Sequence, residues 1–300
     1  PHPLYRSGTW ALASPWEPKV AVQHHHAHIL SVMAEHGLER AIGLSFDGTG
    51  YGTDGTVWGG EFLIADYGSF ERAAHLAPVP LPGGDQAVRK PWRMALSYLA
   101  TFCGDCGYNE LEILRKQSGR DKELVLKLIQ SGFNSPLTSS MGRLFDAVSA
   151  LLGVCEESTY EGQAAMELEM AAADGTEEYY DFLYQQQEES CSINPSPLLK
   201  GICADIKAGK PAGYISATFH NSIAAMIVTV CRRLKERYRL DRVALSGGCF
   251  QNGYLLSQCI SGLSESGFTV LHHQVVPPND GGIALGQALI AHEYLTKSEG

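Results

Sequence analysis

The chain has 300 residues, 23 Lys and Arg against 33 Asp and Glu for a formal net charge of −10, and 44% apolar residues. That length carries one large domain or two lobes, and the apolar share is that of a soluble globular protein. The acidic balance argues against a nucleic-acid binder, because phosphate contacts need Lys and Arg. No signal peptide is visible, and the longest apolar stretch, around 222–231, is too short to span a bilayer.

Eight cysteines lack the density and spacing of a secreted disulfide scaffold, so they read as reduced thiols of a cytoplasmic protein. Cys103 and Cys106 form one C-x-x-C, but no second pair follows at zinc-site spacing. The chain starts at Pro1 without Met and reads as a piece of a longer polypeptide.

In chain order, residues 1–19 are Pro-rich and read as loop. A helical pattern runs from about His24 to His36 and stops at Gly37. Ala41–Phe46 is a β-type run leading into Asp47-Gly48-Thr49-Gly50-Tyr51-Gly52, and Val57–Ala65 returns, which predicts a hairpin with a wide, glycine-rich tip. Residues 76–90 are rich in Pro and Gly and read as loop, followed by a helix over 92–102. Helical patterns dominate 109–185, clearest at 141–153 and 163–173. Residues 186–200, polar with Pro195 and Pro197, read as a linker or surface loop. The longest helix is expected over 212–238. Two strand–loop–helix units close the chain: strand 243–246, loop 247–253 and helix 254–264, then strand 268–272, loop 277–282 and helix 283–294. This alternation predicts an α/β architecture with a partly parallel sheet.

Five pieces carry chemistry. In Gln23-His24-His25-His26-Ala27-His28, positions i and i+4 share a helix face, so His24 and His28 can point at one ion, and neutral imidazole suits Zn or Fe. Asp47 ends a buried-looking strand, where a carboxylate needs a partner, and the glycines beyond it let backbone N–H groups approach phosphate; an ordinary turn is the competing reading. Ser246-Gly247-Gly248-Cys249-Phe250-Gln251-Asn252 lies between a strand and a helix, where anions and nucleotides are favoured. In Pro277-Pro278-Asn279-Asp280-Gly281-Gly282, Asp280 either caps the next helix or ligates a metal, and spacing alone favours the cap. Asp146, on a mostly apolar helix, suits either a ribose hydroxyl or a structural hydrogen bond. His220 reads as a core histidine and Cys249 as a packing residue, since no paired general base is apparent. Arg89, Lys90 and Arg93 either grip a small anion or form a solvated charge run.

Taken in order, Val22–His28, Asp47–Gly52, Gly142–Asp146, Tyr160–Ala165, Ser246–Asn252 and Asn279–Gly282 resemble the C-terminal domain of the HypF hydrogenase-maturation carbamoyltransferases. The resemblance covers nearly the whole chain. It implies the actin/Hsp70/sugar-kinase-like (ASKHA) fold shared with TsaD and the antibiotic O-carbamoyltransferases. It also implies transfer of a carbamoyl group from carbamoyl-adenylate, made from carbamoyl phosphate and ATP by a separate YrdC-like domain, to the C-terminal cysteine of HypE. By motif, His24, His28, Asp47 and Asp280 would ligate a divalent metal, Fe or Zn with Mg as a further candidate, and Asp47 and Asp280 would be the catalytic carboxylates. Gly48, Thr49, Gly50 and Gly52 would sit near phosphate, and Asp146, Glu161, Gly162, Gly247, Gly248 and Asn252 would line the adenosine side.

The family's acylphosphatase, zinc-finger and YrdC-like segments are not found in these residues, so this chain alone is not expected to make carbamoyl-adenylate. Only one phosphate-type hairpin is found where the fold has two. Residues 1–40 are therefore expected to be a remnant of the first lobe carrying the His-x-x-x-His helix, and 41–300 the second lobe with a helical insert. Two other readings stay open: a small-molecule O-carbamoyltransferase, and a non-catalytic nucleotide- and metal-binding scaffold that docks HypE.

Overall fold

Ala41–Phe46 is mostly apolar and buried throughout because the strand that contains it is covered on both faces. The computed structural model describes residues 13–104, 111–173, 175–188 and 190–298. The expectations for residues 1–12 and for Cys106 lie outside the described residues. In chain order the elements are α1 (His24–Glu35), β1 (Arg40–Tyr51), β2 (Val57–Asp66), β3 (Phe70–Leu76), β4 (Val79–Pro80), α2 (Asp85–Arg89), α3 (Trp92–Phe102), α4 (Glu112–Arg115), α5 (Gly119–Ser131), β5 (Leu137–Thr138) and α6 (Met141–Leu151). There follow α7 (Gln163–Ala171), β6 (Leu183–Gln186), β7 (Cys191–Asn194), α8 (Ser196–Lys207), α9 (Ala212–Tyr238), β8 (Arg242–Ser246), α10 (Gly253–Glu265), β9 (Thr269–His272) and α11 (Ile283–Ser298).

The main sheet runs β6-β7-β3-β2-β1-β8-β9. β1, β2 and β3 form an antiparallel meander, whereas β1 pairs parallel with β8 and β8 parallel with β9. Alternation along β1 splits the core. Ile42, Leu44 and Phe46 face the larger cluster, with α3, α6, α8 and α9 behind them. Ala41 faces the smaller one, where Ile29, Leu30, Val32 and Met33 of α1 pack. α1 thus lies directly on the sheet, and α11 packs over it.

The hairpin, α3, α9 and the two C-terminal strand–loop–helix units fall where the sequence places them. Residues 186–200 are not a linker. Gln186 ends β6, Cys191–Ile193 pair parallel with Ala74–Leu76 of β3, and α8 begins at Ser196. Pro197 is in the first turn of that helix, where a missing N–H costs nothing. Nor are residues 76–90 all loop: β4 pairs with β5, and α2 forms a short turn of helix. The helical region also ends early, because 172–173 and 175–182 are irregular before β6. α9 has the length and composition to cross a bilayer, which the apolar-run reading missed; 78% of its apolar window is buried inside the fold, making it the core helix.

Candidate functional site

β1, β8 and β9 run parallel, so their C-terminal ends open on the same edge of the sheet, where ligands of open α/β sheets bind. Ser45 pairs with Ser246, which sets Asp47 beside Gly247 and Gly248. Gly247 carries φ +97°, and a Cβ there would stand 2.3 Å from the Phe46 carbonyl oxygen, so only glycine lets β8 end against β1. Its N–H donates to the Pro278 carbonyl at 2.9 Å, joining the Gly-Gly loop to the segment that bears Asp280.

α1 organises the rest. Gln23 caps it: its side-chain oxygen accepts from the His26 N–H at 2.8 Å, and its amide donates to the Tyr51 carbonyl at 3.1 Å, fixing the helix start to the end of β1. Farther along, Ser31 Oγ donates to the Gly282 carbonyl at 2.9 Å. Glu35 accepts from the Gln274, Val275 and Val276 N–H groups and from His273 Nδ1 at 2.8 Å. Burial opposes ionisation of Glu35, but these donors outweigh it and hold the carboxyl down to about 2. His273 Nε2 in turn accepts from Ser246 Oγ at 2.9 Å. One helix therefore holds both its own histidines and the loop that carries Asp280.

The consequence is a four-donor cluster. His24 Nε2 and His28 Nε2 are 3.2 Å apart. Asp47 Oδ2 lies 3.2 Å from the first and 3.4 Å from the second, and Asp280 Oδ1 lies 3.5 Å and 3.2 Å from them. All four ligand atoms fall within 4.8 Å of one another. Donors spaced like this surround a point roughly 2 Å from each, the length of a zinc–imidazole or zinc–carboxylate bond. Asp280 does not use its side chain as a helix cap, although spacing favours that: its backbone carbonyl meets the Ile283 N–H at 3.4 Å, while the carboxylate turns to the histidines.

Two buried histidines facing two carboxylates need a cation between them. Among the described residues a proton serves: burial opposes protonation of His28, but Asp280 and Asp47 outweigh it and raise the ring to about 9. The same two rings override burial at Asp47 and hold its carboxyl far below the usual range. A raised histidine pKa stabilises the fold below the unfolded value near 6.5, and that contribution is lost as pH rises through 9. A depressed aspartate pKa stabilises it above the unfolded value near 3.8 and is lost as pH falls. The metal-free chain is thus expected to be most resistant to urea between about pH 5 and 7, and to lose a few kcal/mol by pH 10. A pH series of urea midpoints measures this; a midpoint that holds from pH 7 to pH 10 would contradict the pairing.

The hairpin tip is braced on its other side. Ser140 Oγ lies 2.6 Å from the Asp47 carbonyl and 2.9 Å from that of Gly48, while capping α6 by accepting from the Arg143 N–H. A Cβ on Gly142 would stand 2.8 Å from the Gly48 Cα, so α6 enters in direct contact with the tip. Arg72 of β3 ties the hairpin together through Glu61 at 2.6 Å, Asp54 at 3.1 Å and, from the segment before α6, Ser139 at 3.1 Å.

The residues expected on the adenosine side are more scattered. Asp146 is buried, raised to about 6 by burial against the opposing pull of Arg143. Asn252 caps α10 by accepting from the Leu255 N–H at 2.8 Å and donates to His220 Nε2 at 2.9 Å. His220 Nδ1 donates to the Ser216 carbonyl at 2.7 Å, so the ring is the satisfied core histidine expected, and burial lowers it to about 4. Glu161 is exposed beside Gly162, which precedes α7 with φ +77°. Desolvation at the floor of the site and the Asp47 charge push the Cys249 thiol well up, consistent with packing rather than nucleophilic use. Of the neighbouring histidines, His26 Nε2 donates to the Asp66 carbonyl at 2.8 Å and His25 Nδ1 meets the Gln23 amide at 3.1 Å, so both are structural neighbours of the cluster. Gln23, Glu35 and Ser140 were missed in the sequence; the signals were a Gln immediately before the histidine helix and a Ser three residues before Arg143.

At the parallel end of the sheet, α1 and the loops beyond β1 and β9 gather two His and two Asp, and the chain carries a Kae1-like domain of the ASKHA type. Residues 43–287 match the family model for the carbamoyltransferase Kae1-like domain, second subdomain, and residues 1–35 match the HypF Kae1-like domain. The chain belongs to the HypF family. It is 41% identical to carbamoyltransferase HypF of Synechocystis sp. over 98% of its length, spanning 40% of that relative. It is 39% identical to a carbamoyltransferase HypF homolog of Cupriavidus necator, covering 91% of this chain and 71% of the relative. The crystal structure of full-length HypF in its phosphate- and nucleotide-bound form superposes with a TM-score of 0.93 at 44% identity, over 98% of this chain and 46% of that one. The chain therefore spans less than half the length of two of these relatives, 40% and 46%, and 71% of the third.

Proposed function

We propose that this chain is a carbamoyl-transfer domain of hydrogenase maturation, binding a divalent metal at His24, His28, Asp47 and Asp280 and carbamoyl-adenylate beside it, and passing the carbamoyl group to the C-terminal cysteine of HypE. The observation that carries the reading is the convergence of four metal-type donors on one point at the mouth of two glycine loops. The relatives' shared name and the nucleotide and phosphate held by the structural relative support it.

Two imidazoles and two carboxylates fit Zn or Fe(II), and a bound ion would supply Lewis-acid charge to the phosphate side of the anhydride. The chain's own groups do the rest. Gly48, Thr49, Gly50 and Gly52 offer backbone close to the phosphate, and Gly247 and Gly248 clear the approach to it. Transfer forms a C–S bond as the C–O bond to phosphate breaks, AMP leaves with the electron pair, and the thiol proton passes to solvent. No thiol of this site is activated, since that of Cys249 is pushed up; the nucleophile is the partner's. The carbamoyl-adenylate is supplied by the YrdC-like domain of the same polypeptide, and the reaction is cytoplasmic.

The test is carbamoylation of HypE by this chain together with a separate YrdC-like domain, carbamoyl phosphate, ATP and metal, followed by mass spectrometry of the HypE C-terminus. A metal-loaded chain that binds the adenylate but yields no thiocarbamate overturns the reading. Glu35 is a positioning residue in this scheme, because it holds the 274–276 backbone that leads to Asp280. Glu35→Gln is expected to weaken metal affinity about 10- to 100-fold, as loss of an outer-shell partner does, read by competition with a chelating dye.

A further inference from the structure

We infer that Arg143 is an anion-binding residue of this site and receives the phosphate oxygens of the bound adenylate. The inference rests on the functional reading above, since it requires a phosphate-bearing ligand.

The guanidinium is a permanent cation with five N–H donors and no acceptor. The Arg143 side chain is 5% exposed, and Asp146 pairs with it at 3.0 Å. That carboxylate balances the charge but not the donors: Nε and Nη1 are buried with no hydrogen-bond partner among the described residues. Approach of Asp146 Oδ2 to Nη2 is close, yet that oxygen also lacks hydrogen-bond geometry to any donor.

Arg72, on β3 beside the same hairpin, shows how this fold treats an arginine used for structure. Its Nε, Nη1 and Nη2 each find an oxygen, on Glu61, Asp54 and Ser139. Arg143 is left unsaturated one residue after Gly142, whose missing Cβ lets α6 touch the hairpin tip. Its Nη2 lies 3.5 Å from where a Cβ on Gly48 would stand, so the fork sits under the tip next to the Asp47–Gly48 backbone. The Cys249 thiol on the facing loop also feels its charge. A permanent cation with two N–H positions left unpartnered, beside a glycine tip, matches phosphate oxygens in charge and donor type.

Removal of phosphate from the ligand separates this role from a structural one. Titration calorimetry with AMP and with adenosine is done on the metal-loaded chain, on Arg143→Lys, and on Arg143→Met combined with Asp146→Asn, which leaves no unpaired buried charge. The expected result is an AMP affinity lowered about 10- to 100-fold in both variants, with adenosine affinity and metal content unchanged in Arg143→Lys. AMP binding equal to that of the wild type in a folded variant, or equal losses for AMP and adenosine in Arg143→Lys, overturns the assignment of Arg143 alone. A wild-type chain that takes up metal but binds neither compound overturns the functional reading and the subsite with it.

Discussion

Asp47→Asn is expected to reduce bound metal from about one ion per chain to near none and to slow carbamoyl transfer by ~10³-fold or more, the scale of losing several kcal/mol of Lewis-acid stabilisation. Asparagine keeps the shape. Its carbonyl can still accept the Gly48 N–H that Asp47 Oδ1 takes at 2.8 Å. What it cannot keep is the negative charge facing two imidazoles 3.2 Å apart. The companion variant Asp280→Asn separates chemistry from folding. Its side chain is 68% exposed, so its removal should lower melting less than Asp47→Asn does, through a weaker hold on the His28 proton, while weakening the metal. Elemental analysis and single-turnover transfer measure both. Full metal content and an undiminished rate in Asp47→Asn would remove the metal from the account.

The histidine pair was legible because a period of four on a helix is a local property, visible in His24 and His28 without knowledge of the fold. Asp280 was not. Its spacing to the next helix favours a cap, and only the parallel pairing of β1, β8 and β9 turns its loop back over α1. The same limit explains β3. Glu71 and Arg72 break its apolar alternation, and it is held by pairing with β2 and β7 rather than by propensity. Residues 186–200 misled for a related reason: Pro197 signals a loop in isolation and a helix start once α8 is in place. Glu35 looks like a solvated helix end in sequence, because its partners are backbone amides some 240 positions later.

Arg143 is the instructive intermediate. The Gly-Arg-Leu-Phe-Asp motif drew attention to Asp146, the residue with the familiar ribose chemistry. Sequence cannot show which donors are left unpaired, since that depends on what packs around a guanidinium. The contrast with Arg72 appears only in three dimensions.

The two adjacent glycines after β8 should respond to the same substitution in opposite ways. At Gly247 an added methyl must adopt φ +97° and would stand 2.3 Å from the Phe46 carbonyl oxygen, on the backbone of the central strand. Neither partner can yield, so Gly247→Ala is expected to cost about 3 kcal/mol or more and to lower the melting temperature by roughly 10 °C. At Gly248 the backbone is unstrained, and the methyl would stand 3.0 Å from Asp47 Oδ1, the carboxylate oxygen that accepts the Gly48 N–H and is bonded to the same carbon as the cluster-facing Oδ2. Gly248→Ala should therefore melt within a degree or two of the wild type yet bind metal about tenfold more weakly, the lower end of an outer-shell perturbation. Calorimetric melting and chelator competition on the two variants distinguish the effects. If Gly248→Ala were to lose stability and keep its metal affinity, the loop would belong to the strand junction rather than to the site. The expected split instead places the boundary between scaffold and site within a single peptide unit, where β8 stops supporting β1 and begins to shape the space in front of Asp47.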